Sequence, residues 1–213
     1  MNITIIGAGN MGRGIGIRLV SGGHSVTYMD AYPEMAERTA SDVKTHTQKG
    51  ANVYTAPMDS ANVSDIVVLA LWYDTNLEVA RQLGQKLAGK VVVDIANPFS
   101  TYDPRATQPD SSSAEELAKI VPPSVHVVKA FSTTFAGTLL TGKVAGQPLD
   151  VFIAGDDHEA KAKVAKLVSD GGLRPIDVGP LSRARQIEGM QLLHIIIQGT
   201  LGTNWGSTIK ILS

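Results

Sequence analysis

Three glycines near the start of the chain have the spacing of a loop that binds phosphates. Gly7, Gly9 and Gly12 fit the pattern G-x-G-x-x-G, directly after an apolar run and directly before a segment of helical period. The first glycine permits a tight turn, the second lets the backbone approach a pyrophosphate, and the third lets helix and strand pack closely. We therefore predict that this loop, with Asn10 and Met11 inside it, binds a dinucleotide. A glycine turn that binds nothing, or binds a mononucleotide, is the alternative.

An acidic residue ends the second apolar run, where a ribose-binding carboxylate is expected. Asp30 can accept hydrogen bonds from both ribose hydroxyls of NAD, and its charge repels the 2′-phosphate of NADP. Ala31 supplies no guanidinium for that phosphate, and Arg13, in the first helical turn, is expected to face solvent. These residues predict a preference for NAD(H) over NADP(H). The alternative for Asp30 is a turn or helix-capping acid.

The rest of the chain offers few groups for acid–base or metal chemistry. The 5 histidines have no metal-ligand spacing and cysteine is absent, so no metal site is predicted. His126 is expected to be a core or edge histidine, and His194 is expected to pack. Lys129, the one candidate proton donor, is expected to point to solvent or to Asp94. This inventory suits hydride transfer between two stacked rings, which needs proximity, orientation and exclusion of water more than a strong acid or base.

Strands that alternate with helices must position these residues. Apolar runs of strand length alternate with segments of helical period, which is typical of a parallel sheet with helices on both faces. The predicted fold class is α/β, a Rossmann doubly wound parallel sheet. The alternating segments are residues 3–6, 11–20, 25–29, 33–44, 66–71, 75–87 and 91–95.

Two later regions complete the predicted organisation. The loop at 97–113, rich in Pro, Ser and Thr, is predicted to be a wall of the site, and it ends in a capping box of Ser113 and Glu116. Residues 1–123 are predicted to form the dinucleotide-binding domain, and residues 124–213 a small C-terminal α/β subdomain on the acceptor side.

The apolar C-terminal helix, MQLLHIIIQGTLG, carries more hydrophobic surface than a small subdomain easily covers. It predicts a homodimer, with burial inside the monomer as the alternative.

Composition limits the partners and the location. Of 213 residues, 18% are charged and the formal net charge is −1, so a nucleic-acid partner is not expected. The longest apolar run, at 66–73, is far shorter than the roughly 20 residues of a membrane helix. The absence of cysteine is typical of a reducing compartment. We therefore expect a cytoplasmic protein with a small-molecule partner and no membrane contact.

Four segments carry a resemblance to known proteins, and it runs essentially from end to end. They are ITIIGAGNMGRGIG, VVDIANP, VVKAFSTTFA and AGDDHEAKAKVAKLVSDGGLRPIDVGPLSRARQIE. With these segments the chain resembles the coenzyme F420-dependent (deazaflavin) NADP oxidoreductases, and also the oxidoreductase domain of the six-transmembrane metalloreductases. The resemblance implies that the nicotinamide lies near Leu71, Trp72, Asn97, Pro98 and the segment after Ala130. It also implies that Ala130 to Thr133, with Ser132 between them, lie at the reacting rings.

The chain departs from the relatives in three places. Asp30 and Ala31 stand where the deazaflavin reductases carry a Ser-Arg type pair, Trp72 where they tend to show Pro, and Ser132 where they commonly show Asn or His. Trp72 is expected either to stack on a ring or to pack as a core aromatic. Ser132 and Thr133 are expected either to hydrogen-bond a carboxamide or acceptor carbonyl, or to cap the next turn.

The predicted function is an NAD(P)-dependent oxidoreductase that transfers hydride between a nicotinamide and a flavin-like or deazaflavin acceptor. The alternative is an NAD(H)-binding redox sensor or regulatory module without turnover, because the lack of a proton donor suits both. A hydroxyacid or imine reductase is disfavoured, since such enzymes usually need a long all-helical second domain.

Overall fold

The structure is a computed structural model that describes residues 1–47, 52–60, 63–99 and 110–212. Its strands are β1 (Asn2–Ile6), β2 (Ser25–Met29), β3 (Val53–Thr55), β4 (Ile66–Leu69), β5 (Val91–Asp94), β6 (His126–Lys129), β7 (Lys143–Val144), β8 (Gln147–Pro148), β9 (Asp150–Gly155) and β10 (Arg174–Gly179). Its helices are α1 (Asn10–Ser21), α2 (Pro33–His46), α3 (Tyr73–Leu83), α4 (Ser113–Ile120), α5 (Ala136–Thr141), α6 (His158–Asp170), α7 (Ala184–Ile196) and α8 (Gln198–Leu201), with 3₁₀ turns at Gly84–Leu87 and Leu181–Arg183.

Within the described residues, eight strands form one sheet in the order β10-β9-β6-β5-β4-β1-β2-β3. Six neighbouring strands of this sheet are parallel, so their carboxyl ends meet at one edge of the sheet. They are β6, β5, β4, β1, β2 and β3. This edge is where Rossmann sheets bind nucleotides. The prediction of an α/β Rossmann sheet is confirmed.

Strands β9 and β10 extend the same sheet in the opposite direction. β9 pairs antiparallel with β6, and β10 pairs parallel with β9. Strands from both sides of residue 123 therefore share one sheet, and the division into two domains stays a prediction. β7 and β8 form a separate two-stranded hairpin.

Both faces of the sheet are buried because the central strands are apolar on both sides. In β1, Ile5 packs in the layer with α1 and α6, whereas Ile6 packs in the layer with α3 and α4. Such continuous Val and Ile runs are typical of parallel strands covered by helices on both faces. The three-residue β3 was missed because no apolar run marks it in the sequence.

The predicted capping box is wrong by one residue. Ser112, not Ser113, caps α4: its Oγ accepts from the backbone N–H of Glu115 (3.1 Å), and the Glu115 carboxylate accepts from the Ser112 N–H (3.0 Å). The Ser113 N–H instead donates to Glu188 (3.0 Å). Most of the loop predicted as a site wall, residues 100–109, lies outside the described residues.

Neither a membrane-spanning helix nor a metal-binding group is found among the described residues. No helix in them has both the length and the apolar character needed to cross a bilayer. Nor do they gather three His, Cys, Asp or Glu side chains in a group that could hold a metal ion.

Candidate functional site

The three loop glycines lie in two different kinds of surroundings. Gly7 has φ +102°, and a Cβ there would lie 2.5 Å from the Ala70 carbonyl oxygen; a Cβ on Gly12 would lie 2.0 Å from the Gly7 oxygen. These two positions accept only glycine because the protein itself fills the space. A Cβ on Gly9 would meet nothing within 4 Å, so the space above this glycine is not filled by the protein.

The loop leads into a helix whose N-terminus is left without a side-chain cap. Gly9 is the N-cap of α1 and offers no side chain to the free backbone N–H groups. Those groups and the helix dipole favour a phosphate. The space over Gly9 and the uncapped helix together fit a pyrophosphate.

The Asp30 carboxylate ties the loop in place. One oxygen accepts from the Ala8 N–H (2.7 Å) and the other from the Tyr32 N–H (3.0 Å). The Thr39 hydroxyl donates to the Ala8 carbonyl (2.7 Å) from the other side. Asp30 thus has the turn role that was its alternative, and its ribose role stays a prediction.

The helix side of the loop is held by a buried tyrosine. The Tyr28 hydroxyl donates to the Gly12 carbonyl (3.0 Å), and burial raises the pKa of that hydroxyl. A Cβ on Gly16 would lie 1.7 Å from the same hydroxyl oxygen, so Gly16 serves the packing of α1 on β2.

An open cleft of about 710 Å³ extends from Gly9 and Asn10 between α1 and α2. Two arginines line it. Arg13 was expected to face solvent, but its guanidinium is paired with Asp42 and partly buried. Arg38 is exposed and has no ion pair with a described residue.

The residues after β4 and β5 lie at the carboxyl edge. Trp72 is 74% exposed at the N-cap of α3, so the core alternative for this aromatic is wrong. Leu71 is half-buried, and its Cδ2 would lie 2.8 Å from a Cβ on Gly7. Asn97, followed by the half-buried Pro98, donates through Nδ2 to the Ser132 carbonyl (3.2 Å), while its Oδ1 has no described partner.

The segment after β6 is strained and buried. Phe131 has φ +60°, a left-handed conformation that bulky residues rarely adopt. The Thr134 hydroxyl closes this turn by donating to the Phe131 carbonyl (2.7 Å), so Ser132 and Thr133 do not cap it. Both are buried, and the Ser132 Oγ has no partner among the described residues. Strain of this kind is concentrated at functional sites.

Beneath this edge lies a cluster of charges that the sequence revealed only in part. Lys129 donates to Asp94 (2.9 Å) and to Glu188 on α7 (2.6 Å), and all three side chains are fully buried. The predicted contact with Asp94 is confirmed, and exposure of Lys129 to solvent is wrong. The register places Asp94 opposite Lys129 on neighbouring strands, a signal that predicts their pairing. Glu188 was missed because it comes from a distant helix.

The remaining predicted residues divide between the loop and the sheet edge. Ala130 is buried, and its N–H donates to the Asp94 carbonyl (3.1 Å). Asn10 is exposed in the cleft and Met11 is half-buried against the core.

The two histidines singled out from the sequence lie in different surroundings. His126 is exposed at the amino end of β6, the edge opposite the glycine loop, with Nδ1 3.5 Å from an Asp157 oxygen. His194 is buried against the Phe135 ring with the centroids 4.5 Å apart, and burial lowers its pKa. The expectation that His194 packs is confirmed, and His126 is the edge histidine that was one of its two expected places.

The parallel sheet, the glycine loop and the uncapped helix define a protein of the Rossmann class. The family model described as "NADP oxidoreductase coenzyme F420-dependent" matches residues 2–98. The F420-dependent NADP reductase of Methanocaldococcus jannaschii is 32% identical over 208 residues, which cover 92% of this chain and 91% of the relative. The chain belongs to the F420-dependent NADP oxidoreductase family and is an NAD(P)-dependent oxidoreductase.

Two further similarities agree with this assignment. A solved structure from Arthrobacter sp. FB24, provisionally assigned as an F420-dependent NADP reductase, superposes with a TM-score of 0.83 at 29% identity, and the match covers 100% of both chains. Metalloreductase STEAP3 of Rattus norvegicus is 31% identical over 190 residues, which are 89% of this chain but 36% of that protein. The chain thus spans about a third of the metalloreductase it matches.

Proposed function

We propose that the protein transfers hydride between a nicotinamide cofactor and a deazaflavin or flavin-like ring. The observation that carries this proposal is the pair of unsatisfied polar atoms at the carboxyl edge, Asn97 Oδ1 and the buried Ser132 Oγ. Buried polar atoms normally have hydrogen-bond partners, so two orphans at a nucleotide-binding edge point to a polar ligand such as a carboxamide. The name of the Methanocaldococcus jannaschii relative supports the acceptor class.

The residues divide into holding and reacting groups. Gly7, Gly9 and Gly12 hold the pyrophosphate, and Asp30 accepts from the adenosine ribose. Asn97 and Ser132 orient the carboxamide, with Thr133 beside them. The bound nicotinamide supplies the hydride. Leu71, Pro98 and Ala130 exclude water from the reacting edge.

The buried state of Lys129 favours ring acceptors over ketones. A ketone needs a proton donor beside its oxygen. The three N–H groups of Lys129 are already given to Asp94, Glu188 and the Ala96 carbonyl, so this candidate donor does not reach a substrate. A ring acceptor delocalises the charge that arrives with the hydride and needs no such group.

Stopped-flow oxidation of NADH and NADPH against F420, FMN, a quinone and a simple ketone tests the proposal. We expect turnover with a ring acceptor and none with the ketone. Tight nucleotide binding with no turnover on any ring would favour the redox-sensor alternative. Turnover confined to the ketone would overturn the ring-to-ring assignment.

We further propose that NAD(H) is preferred over NADP(H), which sets this chain apart from the cofactor in its family's name. Asp30 supplies a negative charge at the ribose position, and the Arg13 charge is offset by Asp42. Arg38 is the one cleft residue that favours a 2′-phosphate, because it is a cation without a described ion pair. Dissociation constants of the four nucleotides decide between these opposing charges.

A homodimer is our proposal for the exposed side of α7. Leu193 is 61% exposed and Ile196 is 56% exposed, three residues apart on one face, whereas Ile187 and Leu192 are buried in the monomer. Intramolecular packing therefore covers only part of this helix. Light scattering at micromolar concentration is expected to show a dimer. The double variant Leu193→Ser with Ile196→Ser is expected to be a monomer. A monomeric unmodified protein would contradict the proposal.

A small-molecule partner and a cytoplasmic location stay predictions.

A further inference from the structure

Lys129 joins the carboxyl ends of two sheet strands to helix α7. Its ammonium donates to Asp94 Oδ2 on β5 (2.9 Å), to Glu188 Oε1 on α7 (2.6 Å) and to the Ala96 carbonyl. A lysine has three N–H donors, and each is used. We call Asp94, Lys129 and Glu188 the ionic cluster.

The two carboxylates of the ionic cluster are not equally satisfied. Asp94 Oδ1 accepts from Asn76 Nδ2 (2.9 Å) and from the Ala96 N–H (3.1 Å), in addition to the Lys129 bond on Oδ2. Glu188 Oε1 accepts from Lys129 and from the Ser113 N–H (3.0 Å), but its buried Oε2 has no partner among the described residues. A proton on this oxygen removes the cost of a buried, half-solvated charge.

The protonation of Glu188 sets the charge of the ionic cluster. With Glu188 protonated, Asp94 and Lys129 cancel; with Glu188 ionised, the cluster carries one net negative charge. Burial raises the pKa of Glu188 to about 7, against the opposing effects of Lys129 and the Ser113 N–H. Both charge states are therefore populated near neutral pH.

The groups around Glu188 come from several elements. Lys129 faces it from β6, Asp94 from β5, and Tyr73 from the start of α3; the pKa of Tyr73 is raised by burial and by nearby carboxylates that include Glu188. From α4 it meets the Ser113 N–H, and Arg185 lies one turn earlier on α7 itself.

The acids of the other packed elements are engaged elsewhere. Glu115 and Glu116 of α4 bond to Ser112 and Lys119, and Asp150 of β9 bonds to Arg174 and Lys210. The segment α8 carries no charged residue.

We propose that Glu188 is a positioning residue whose ionised form, acting through Lys129 and Asp94, favours the oxidised, positively charged nicotinamide over the reduced one. This inference rests on the proposed function. It follows from the place of the ionic cluster, since Asp94 and Lys129 are the last residues of the strands whose carboxyl ends form the nucleotide-binding edge. Binding of the oxidised cofactor then releases the Glu188 proton, whereas binding of the reduced cofactor leaves it in place.

The test measures dissociation constants of NAD⁺, NADH, NADP⁺ and NADPH at pH 6, 7 and 8. For the unmodified protein we expect the ratio of the reduced to the oxidised constant to rise about three- to tenfold from pH 6 to pH 8, as one unit charge acts through a partly screened interior. In Glu188→Gln the ratio is expected to be independent of pH. NADP⁺ and NADPH both carry the 2′-phosphate, and NAD⁺ and NADH both lack it. Titration of that phosphate therefore cancels in the ratio of the two dissociation constants of each pair.

Glu159→Gln is the matched control. Glu159 is exposed at the start of α6, next to Asp157, which faces His126 at the opposite edge of the sheet. This variant is expected to keep the pH dependence of the unmodified protein.

Each outcome decides the inference. A pH-independent ratio in the unmodified protein, or the same rise in Glu188→Gln, overturns it. If Glu188→Gln does not fold, calorimetry of the unmodified protein in two buffers of different ionisation enthalpy still decides: more proton release with NAD⁺ than with NADH at pH 7 supports the inference, and equal release overturns it. Failure of all four nucleotides to bind overturns the proposed function together with the inference, whereas binding with a flat ratio overturns the inference alone.

Discussion

The two sides of the carboxyl edge are built in opposite ways. On the side of β1, α1 and β2, the binding surface is backbone: glycines, an uncapped helix and one carboxylate that braces the loop. On the side of β5, β6 and α7, the surface rests on buried side-chain charges held by one lysine. On the first side Gly7 and Gly12 leave no room for an added Cβ, and on the second side Asp94 and Glu188 depend on the Lys129 cation. Substitutions at the two sides should therefore fail in different ways.

The largest effect is expected from the loop glycines, where two substitutions separate folding from binding. Gly12→Ala places a Cβ 2.0 Å from the Gly7 oxygen, so it is expected to lower both the melting temperature and nucleotide affinity. Gly9→Val meets no protein atom at its Cβ and is expected to abolish nucleotide binding at an unchanged melting temperature. Thermal melts and calorimetry test the pair. Tight binding by Gly9→Val would show that the pyrophosphate does not lie over this glycine.

Removal of the lysine should break the other side. Lys129→Met leaves Asp94 and Glu188 buried without their cation, and we expect a loss of about 3–5 kcal/mol in the free energy of unfolding. Urea denaturation measures this loss. The triple variant with Asp94→Asn and Glu188→Gln should recover part of it, because no buried charge is then left unpaired. An unchanged stability of Lys129→Met would contradict the assigned pairing.

These two sides also differ in how far the sequence predicts them. The glycine spacing, Asp30 and the strand–helix alternation are local, so the loop and the sheet follow from short stretches of residues. The Asp94–Lys129 contact follows from the register of neighbouring strands. Glu188 does not, because its partner lies 59 residues earlier in the sequence and only the packing of α7 brings the two together.

The strained turn at Phe131 and the N-cap of α4 are also features that the sequence does not predict. The left-handed Phe131 has no sequence signal, since bulky residues avoid that conformation. The cap on α4 fell on Ser112 because the Ser113 N–H is given to Glu188, a contact that local spacing does not contain. The sequence thus predicts the elements better than it predicts the contacts between them.

The buried Glu188 on the charged side should make the stability of the protein depend on pH. The pKa of Glu188 rises from 4.5 to about 7 on folding, so the folded state keeps a proton that the unfolded state loses between these values. This group's contribution to stability is therefore complete below pH 4.5 and is lost as the pH rises to about 7, at no more than about 1.4 kcal/mol per pH unit. Urea denaturation of the unmodified protein and Glu188→Gln across this range isolates the effect. Parallel stability curves for the two proteins would contradict it.

A smaller change is expected from the ribose acid. Asp30→Ser with Ala31→Arg is expected to shift the preference toward NADPH by at least about tenfold, or ~1.4 kcal/mol. The charge that repels the 2′-phosphate is removed and a guanidinium is added. Arg38→Ala in the unmodified protein is the matched comparison, and it should leave NADH binding unchanged. Tighter binding of NADPH than NADH by the unmodified protein would overturn the preference.

The smallest effect is expected at Trp72. Because 74% of this side chain is exposed, Trp72→Ala should leave the melting temperature unchanged. If the indole stacks on a ring of the cofactor, affinity falls by about 0.5–1.5 kcal/mol. Trp72→Phe should retain most of that affinity. Equal nucleotide affinity in the unmodified protein, Trp72→Ala and Trp72→Phe would show that Trp72 does not contact the cofactor.

Isotopic labelling of the transferred hydride tests the proposed ring-to-ring transfer directly. In a single turnover with nicotinamide carrying deuterium at the transferable C4 position, we expect the label on the ring carbon of the deazaflavin, with none exchanged into solvent. Mass spectrometry of the reduced acceptor makes the measurement. Label found in water, or an unlabelled reduced acceptor, would contradict direct transfer between the two rings.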